Sequence, residues 1–207
     1  MQPSSTTGTN DLLRAIRHID HVTYAGRLTN EQPFIAGWAQ LGFHTHVRLE
    51  TRRFPATHIA LTNGATEGAP WGIMTGLSVS ASERSPINEF VRRYGEGIQH
   101  VAYSVDPRVD LDDVRRALEA RGVAFMTPVL TYADDRTGAG LRQTFTAPAH
   151  AFGTFVEYVQ RLPGRDGQPF DGFDIENIDG LYGHYAEYSA WLERHEDRTP
   201  PRIDRPC

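Results

Sequence analysis

Residues 95–105 read GEGIQHVAYSV, a β-branched and aromatic run with a histidine at its centre and glycines at one end. Such a run predicts a strand. A single strand histidine is more often packed or solvent-facing than a ligand, so His100 takes its meaning from the rest of the chain. The same pattern stands earlier. Ile19-Asp20-His21-Val22-Thr23-Tyr24 and Ile98-Gln99-His100-Val101-Ala102-Tyr103 are both I-x-H-V-x-Y, with the histidines 79 residues apart. That period is too long for a solenoid and suits a duplicated module.

The element order repeats with the motif. Arg17–Ala25 reads as a strand, and Phe34, Ile35, Trp38 and Leu41 follow at helical spacing. Three strands are predicted next, over His44–Leu49, Thr57–Thr62 and Trp71–Val79. "SERSPINEFVRRYG" then reads as a short connecting helix with Pro86 in its first turn. After it come the strand GIQHVAYSV and an amphipathic helix with Leu111, Val114 and Leu118 on one face. "AFMTPVLTY", "LRQTFTA" and "GTFVEYVQR" supply three more strands. Each module's helix closes on a residue–glycine pair, Leu41-Gly42 or Arg121-Gly122.

The expected organisation is α+β: two βαβββ modules forming a half-open, metal-containing barrel with a C-terminal closing helix. A disordered tail spans 1–16, the first module 17–84, the connecting helix 85–96 and the second module 97–162. A Gly- and Asp-rich loop and a helix fill 163–197, and 198–207 is a tail. The last helix, predicted over about Ile178–Glu196, carries Leu181, Tyr182, Tyr185, Tyr188 and Trp191, a stripe expected to cover the open mouth of the sheet.

Bulk properties narrow the function. A formal charge of −5 with no Lys/Arg-rich run gives no footprint for nucleic acid. The only cysteine, Cys207, excludes an internal disulfide framework and a cysteine metal cluster. No apolar run is long enough to span a bilayer, and the polar start lacks the apolar core of a secretory signal. A cytoplasmic protein is therefore expected, with a small-molecule substrate and no nucleic-acid or membrane partner.

Alternation along a strand puts residues two apart on one face. Ile98, His100, Ala102 and Ser104 are expected on one face, and Ile19, His21 and Thr23 on the equivalent one. Gln99 falls on the opposite face, as a supporting residue. A pseudo-twofold axis would bring His21 and His100 to a shared interior. In the last strand Glu157 stands between Phe155 and Val159 on one face, and a buried carboxylate needs a partner such as a metal. Two histidines and a carboxylate with open positions form the facial arrangement of non-haem Fe(II) oxygenases. Rival readings exist. His44 and His46 share a strand face, and His58 lies mid-strand among apolar neighbours. His18, His150, His184 and His195 read as surface residues. The repeat lifts His21 and His100 above these.

The motifs HIDHV (18–22), GEGIQHVAY (95–103), RGVAFM (121–126), LRQTFTAP (141–148), GTFVEYVQR (153–161) and GFDIENIDGLY (172–182) occur in one order. In them the chain resembles the vicinal-oxygen-chelate (glyoxalase/bleomycin-resistance) superfamily, and within it the C-terminal catalytic domain of the 4-hydroxyphenylpyruvate dioxygenase group. The resemblance implies paired βαβββ modules around iron, with His21, His100 and Glu157 matching the metal ligands. Gln143 and Phe145 match residues lining the substrate pocket. Asn177, Leu181 and Tyr182 match the stretch where a C-terminal helix closes it. The family usually has phenylalanines where this chain has Ile178 and Tyr182. It also places a Pro-x-Asn-Glu-Pro-like motif where this chain reads WGIMTGLSVS.

The function implied is an Fe(II)-dependent dioxygenase acting on a 2-oxo acid by chelation, O2 activation, decarboxylation and oxygen transfer. No catalytic residue is expected beyond the metal ligands. One alternative is non-redox lyase, isomerase or epimerase chemistry on Mg, Mn or Zn. Another is a binding or resistance protein. A homodimer is a possible assembly, since half-barrels of this kind often pair.

Overall fold

In the computed structural model, which describes residues 12–64, 72–148 and 153–194, both I-x-H-V-x-Y copies form strands at the centre of one sheet. The first module runs β1 (Ile16–Ala25), a 3-10 turn (Leu28–Asn30), α1 (Glu31–Ala39), β2 (His44–Thr51), β3 (Ala56–Thr62) and β4 (Met74–Val79). Helix α2 (Pro86–Tyr94) connects it to β5 (Gly97–Val105), α3 (Leu111–Glu119), β6 (Leu130–Ala133), β7 (Gly140–Phe145) and β8 (Phe155–Leu162). Helix α4 (Ile175–Arg194) follows. Strand order is β2-β3-β4-β1-β5-β8-β7-β6, which reads the same from either end once the modules are matched. Strands β1 and β5 pair antiparallel, while β1–β4 and β5–β8 are parallel.

Local signals set these boundaries. The Ser85 hydroxyl accepts from the Asn88 amide, Pro86 holds the first helical position of α2, and the Asp110 carboxylate accepts from the Asp112 amide at the start of α3. The two glycines closing the module helices, Gly42 and Gly122, have φ of 86° and 85°, a conformation that glycine adopts without a Cβ penalty. Helix α4 starts at Ile175, three residues before the predicted Ile178, because the Asp174 carboxylate accepts from the Asn177 amide. The predicted strand through AFMTPVLTY contracts to Leu130–Ala133. Pro128 interrupts it, and Phe125 keeps only an isolated bridge to Thr146. Trp71, His150 and His195 lie outside the described residues.

Two apolar layers flank the sheet. On one face Ile87, Phe90, Phe155, Leu181, Tyr182 and Tyr185 pack together, so α2 and the first part of the α4 stripe cover that side, while Tyr188 is half-buried and Trp191 is exposed. On the other, Leu111, Val114 and Leu118 of α3 pack with Val105, Phe125 and Tyr158. The first module's helix is less covered. Phe34, Ile35 and Trp38 are half-buried, and Leu41, predicted on its apolar face, lies beyond the helix end and is exposed. No helix among the described residues is long and apolar enough to cross a membrane.

The predicted faces need one correction. In β1, Ile19 pairs with Tyr103 and His21 with Ala102, leaving Asp20 as an extra, unpaired residue. In β5, His100 pairs with Thr23 and Ile98 with Tyr24, so Gln99 is the extra one. Each I-x-H-V copy therefore carries a β-bulge at its x position. The bulges turn Asp20 (3% exposed) and Gln99 (0%) inward beside their histidines, and leave Ile19 (53%) and Ile98 (40%) outside. Strict alternation had put Gln99 opposite His100 and the two isoleucines on the histidine face.

Candidate metal centre

His21 from β1, His100 from β5 and Glu157 from β8 meet on the concave side of the sheet. Pairing explains the meeting: His21 lies opposite Ala102, and Ala102 lies opposite Glu157 on its other side. All three are buried, and one ligand atom from each lies within 4.8 Å of the others. His21 Nε2 is 3.3 Å and His100 Nε2 3.4 Å from the same oxygen, Glu157 Oε2.

Both imidazoles are oriented from behind. His21 Nδ1 is 2.8 Å from Asp20 Oδ1, and an ionised carboxylate only accepts, so His21 donates from Nδ1. His100 Nδ1 lies 3.3 Å from Gln99 Oε1, which also accepts from the Tyr182 hydroxyl at 3.2 Å. In each ring Nδ1–H is held from behind, so Nε2 faces the centre, where a cation can bind it, at His21 by displacing a proton. Glu157 is fixed through its other oxygen. Gln143 Nε2 donates to Oε1 at 2.7 Å, and Asn177 Nδ2 donates to Gln143 Oε1 at 2.9 Å. This donor set, two imidazoles and a carboxylate with supporting hydrogen bonds, could hold a divalent metal.

Electrostatics of the metal-free centre agree with that fit. Burial disfavours charge on His21, but Glu157 and Asp20 outweigh it and raise its pKa to about 9. Burial dominates at His100 and lowers it to about 3. Burial would also raise Glu157, yet the two histidines and Gln143 hold it below its ordinary value. Burial likewise opposes ionisation of Asp20, which Arg161 and His21 together keep well below the usual carboxylate range. The buried set is balanced by one proton on His21, the place a metal ion would take. With a dication and neutral histidines, Asp20, Arg161 and Glu157 leave the centre at +1, suited to a monoanion.

A cavity of about 550 Å³, counting its open mouth, adjoins the triad. Gln143, Phe145, Asn177, Leu181 and Tyr182, expected at a substrate pocket, all line it. The amides of Gln143 and Asn177 are tied to Glu157, while Phe145 packs edge-on against His100, with ring centroids 5.9 Å apart. Gly76 lies on the opposite wall, where a Cβ would come within 3.0 Å of Thr23 Oγ1. The rival histidines separate. His58 lines the cavity, but its ring nitrogens face the hydroxyls of Thr51 and Ser78, and desolvation lowers its pKa to about 4. His44 is exposed, and His46 bonds Asp171. His18 is exposed as expected, whereas His184 is half-buried in α4.

Spacing alone missed Asp20, Arg161, Ser78 and Phe173, and it weighed His58 as a rival ligand instead of a cavity wall. Arg161 Nε and Nη2 donate to both oxygens of Asp20, at 2.9 and 2.8 Å. Phe173 packs on His21, with ring centroids 5.0 Å apart. A signal for the first pair was present: Asp20 adjoins His21 in sequence, and Arg161 lies four residues after Glu157. Seeing it required knowing about the bulge.

Comparison with models of protein families and with curated proteins gives no match. Solved structures do match. A triple variant of 4-hydroxymandelate synthase from Streptomyces coelicolor superposes with a TM-score of 0.68 at 25% identity, over 91% of this chain and 57% of that one. A xylose isomerase-like TIM barrel/4-hydroxyphenylpyruvate dioxygenase fusion protein gives 0.60 at 21% identity, over 84% of this chain and 29% of that one. A methylmalonyl-CoA epimerase gives 0.53 at 21% identity, over 70% of this chain and 96% of the epimerase. The chain thus spans little more than half of the synthase.

Proposed function

Because this chain has the fold of the vicinal-oxygen-chelate superfamily, as those three structures do, we propose that it is an Fe(II)-dependent dioxygenase acting on a 2-oxo acid. The observation that carries this reading is the buried His21–His100–Glu157 triad beside a largely apolar cavity, in a chain that matches 4-hydroxymandelate synthase over 91% of its length. Fe(II) held by the triad would supply O2 activation and promote decarboxylation.

The chain's own residues account for the rest. Asp20 and Gln99 hold the Nδ1 protons of the two histidines, which keeps both Nε2 atoms available. Gln143 and Asn177 fix the Glu157 carboxylate, so the ligand set needs little reorganisation. With a dication held by the triad, the net +1 charge would attract the carboxylate of a 2-oxo acid. Phe145, Ile178, Leu181 and Tyr182 enclose an apolar body and exclude water. The balanced reaction takes a 2-oxo acid and O2 to CO2 and an oxygenated acid: one oxygen atom enters the new carboxylate, the other a carbon of the same substrate. No protein nucleophile takes part.

The epimerase match supports a second reading, enolate chemistry on a redox-inert metal. Protein purified without oxygen, loaded with Fe(II) and offered a panel of 2-oxo acids separates the two. The expected result is substrate-dependent O2 uptake matched one-to-one by CO2. Metal-dependent exchange of a substrate C–H proton without O2 uptake would establish the second reading instead.

A further inference from the structure

Residues 163–174, between β8 and α4, cross the open side of the sheet and touch both edge strands. Phe170 packs on Tyr132 of β6, with ring centroids 5.3 Å apart. Asp171 Oδ1 is bonded by His46 Nε2 of β2 at 2.8 Å. Phe173 packs near Val47 of β2 and edge-on against His21, and it lines the cavity. This segment is a strap over the half-barrel.

One buried side chain fastens it. Arg161 Nη1 donates to the carbonyls of Phe170 at 3.1 Å and Gly172 at 2.8 Å, and the guanidinium lies 5.4 Å from the Phe173 ring centroid. The same guanidinium grips both oxygens of Asp20, whose Oδ1 holds the Nδ1 proton of His21. We propose that Arg161 is a positioning residue that couples closure of the strap to His21 at the metal centre. This rests on the reading of the triad as a metal site.

The coupling has a physical cause. A dication on Nε2 adds positive charge to the buried set and fixes the imidazole whose Nδ1–H is held by Asp20. Asp20 is shared between His21 and Arg161, so that change reaches the guanidinium through a bond network of low dielectric. In the other direction, opening the strap strips two hydrogen bonds from a buried cation. A staple serving the fold alone would need Asp20 or the strap carbonyls, and Arg161 joins both to a ligand.

Hydrogen exchange tests this, with Co(II) as the probe. In the native protein, Co(II) should slow amide exchange across 163–174. Arg161→Lys keeps the buried charge, so Asp20 stays paired, but it loses the fork that reaches both partners. Its Co(II) affinity should fall tenfold to a hundredfold. At saturating Co(II) the protection gained by the strap should vanish, with protection in β5 and β7 unchanged. His46→Ala, which cuts only the edge contact, should speed strap exchange and keep the response to Co(II). Equal protection gains in Arg161→Lys and native protein would overturn the coupling. So would a native strap that ignores bound Co(II), and in both cases the metal site stands. Native protein that binds no Co(II) would overturn the site reading and the coupling with it.

Discussion

In β1 the bulge residue of I-x-H-V is Asp20, and in β5 it is Gln99. The backbones are equivalent, and both side chains hold the Nδ1 of the next histidine. Their partners behind that bond differ. Asp20 is gripped by the buried Arg161, whereas Gln99 receives the Tyr182 hydroxyl and keeps an Nε2 with no partner among the described residues. Burial opposes charge on both rings; Glu157 first and Asp20 second raise His21 to about 9, while His100, with no carboxylate behind it and the charged His21 beside it, falls to about 3. A duplicated strand can thus supply two similar ligands and still make one of them carry the resting proton.

Exchanging the two histidines one at a time should have the largest effect. His21→Gln and His100→Gln each remove a ligand nitrogen, so both should lose tight metal binding, read as metal content after dialysis. Their stabilities without metal should differ. His21→Gln strands the buried Glu157 without its cation and should cost about 3–5 kcal/mol. His100→Gln replaces one neutral polar group by another and should cost about 1 kcal/mol. The His21 contribution has a sign in pH. A folded pKa raised to about 9 gives stability fully present below the unfolded value of 6.5 and lost as pH rises through 9. Urea denaturation in chelator should therefore show the His21→Gln deficit closing in alkaline buffer. Equal deficits for the two variants would remove the asymmetry.

A smaller effect sharpens the same contrast. A metal must displace the His21 proton but finds His100 already neutral. One proton should be released per metal ion near neutral pH. Apparent affinity should rise about tenfold per pH unit and level off near 9, the pKa of His21. Calorimetry in buffers of different ionisation enthalpy counts the protons. A count of two would mean that His100 is also charged at rest.

The duplicated architecture was legible because periodicity and the I-x-H-V copies report directly on strands and their order. The triad was legible for the same reason, since register follows from topology. What lies behind the triad was not. Asp20 and Gln99 point inward only because each strand holds one residue too many, and a bulge leaves no mark in hydrophobic alternation. Arg161 ends the GTFVEYVQR motif with no partner marked in the sequence, and only the bulge brings Asp20 to its side. The strap was hidden for another reason. Its Gly- and Asp-rich composition reads as loop, which is correct locally, while its anchoring depends on backbone carbonyls that carry no residue signature.

The mildest test touches the neutral copy. Tyr182 is buried, with its hydroxyl kept protonated by desolvation, which raises its pKa to about 12. It donates to Gln99 Oε1 while its ring stacks on His58, centroids 5.4 Å apart. Tyr182→Phe keeps the stack and the volume but removes the hydroxyl that bonds Gln99 and Ser78, for a stability loss of about 1–3 kcal/mol. Gln99 Oε1 still accepts from His100, and no charge is left unpaired. Metal affinity should therefore fall by less than about tenfold, below the tenfold to hundredfold typical of a group bonded directly to a ligand. Asp20→Asn removes a charge that both His21 and Arg161 depend on, and should fall inside that larger range. If Tyr182→Phe weakens metal binding as much as Asp20→Asn does, the charge behind His21 is not what separates the two copies.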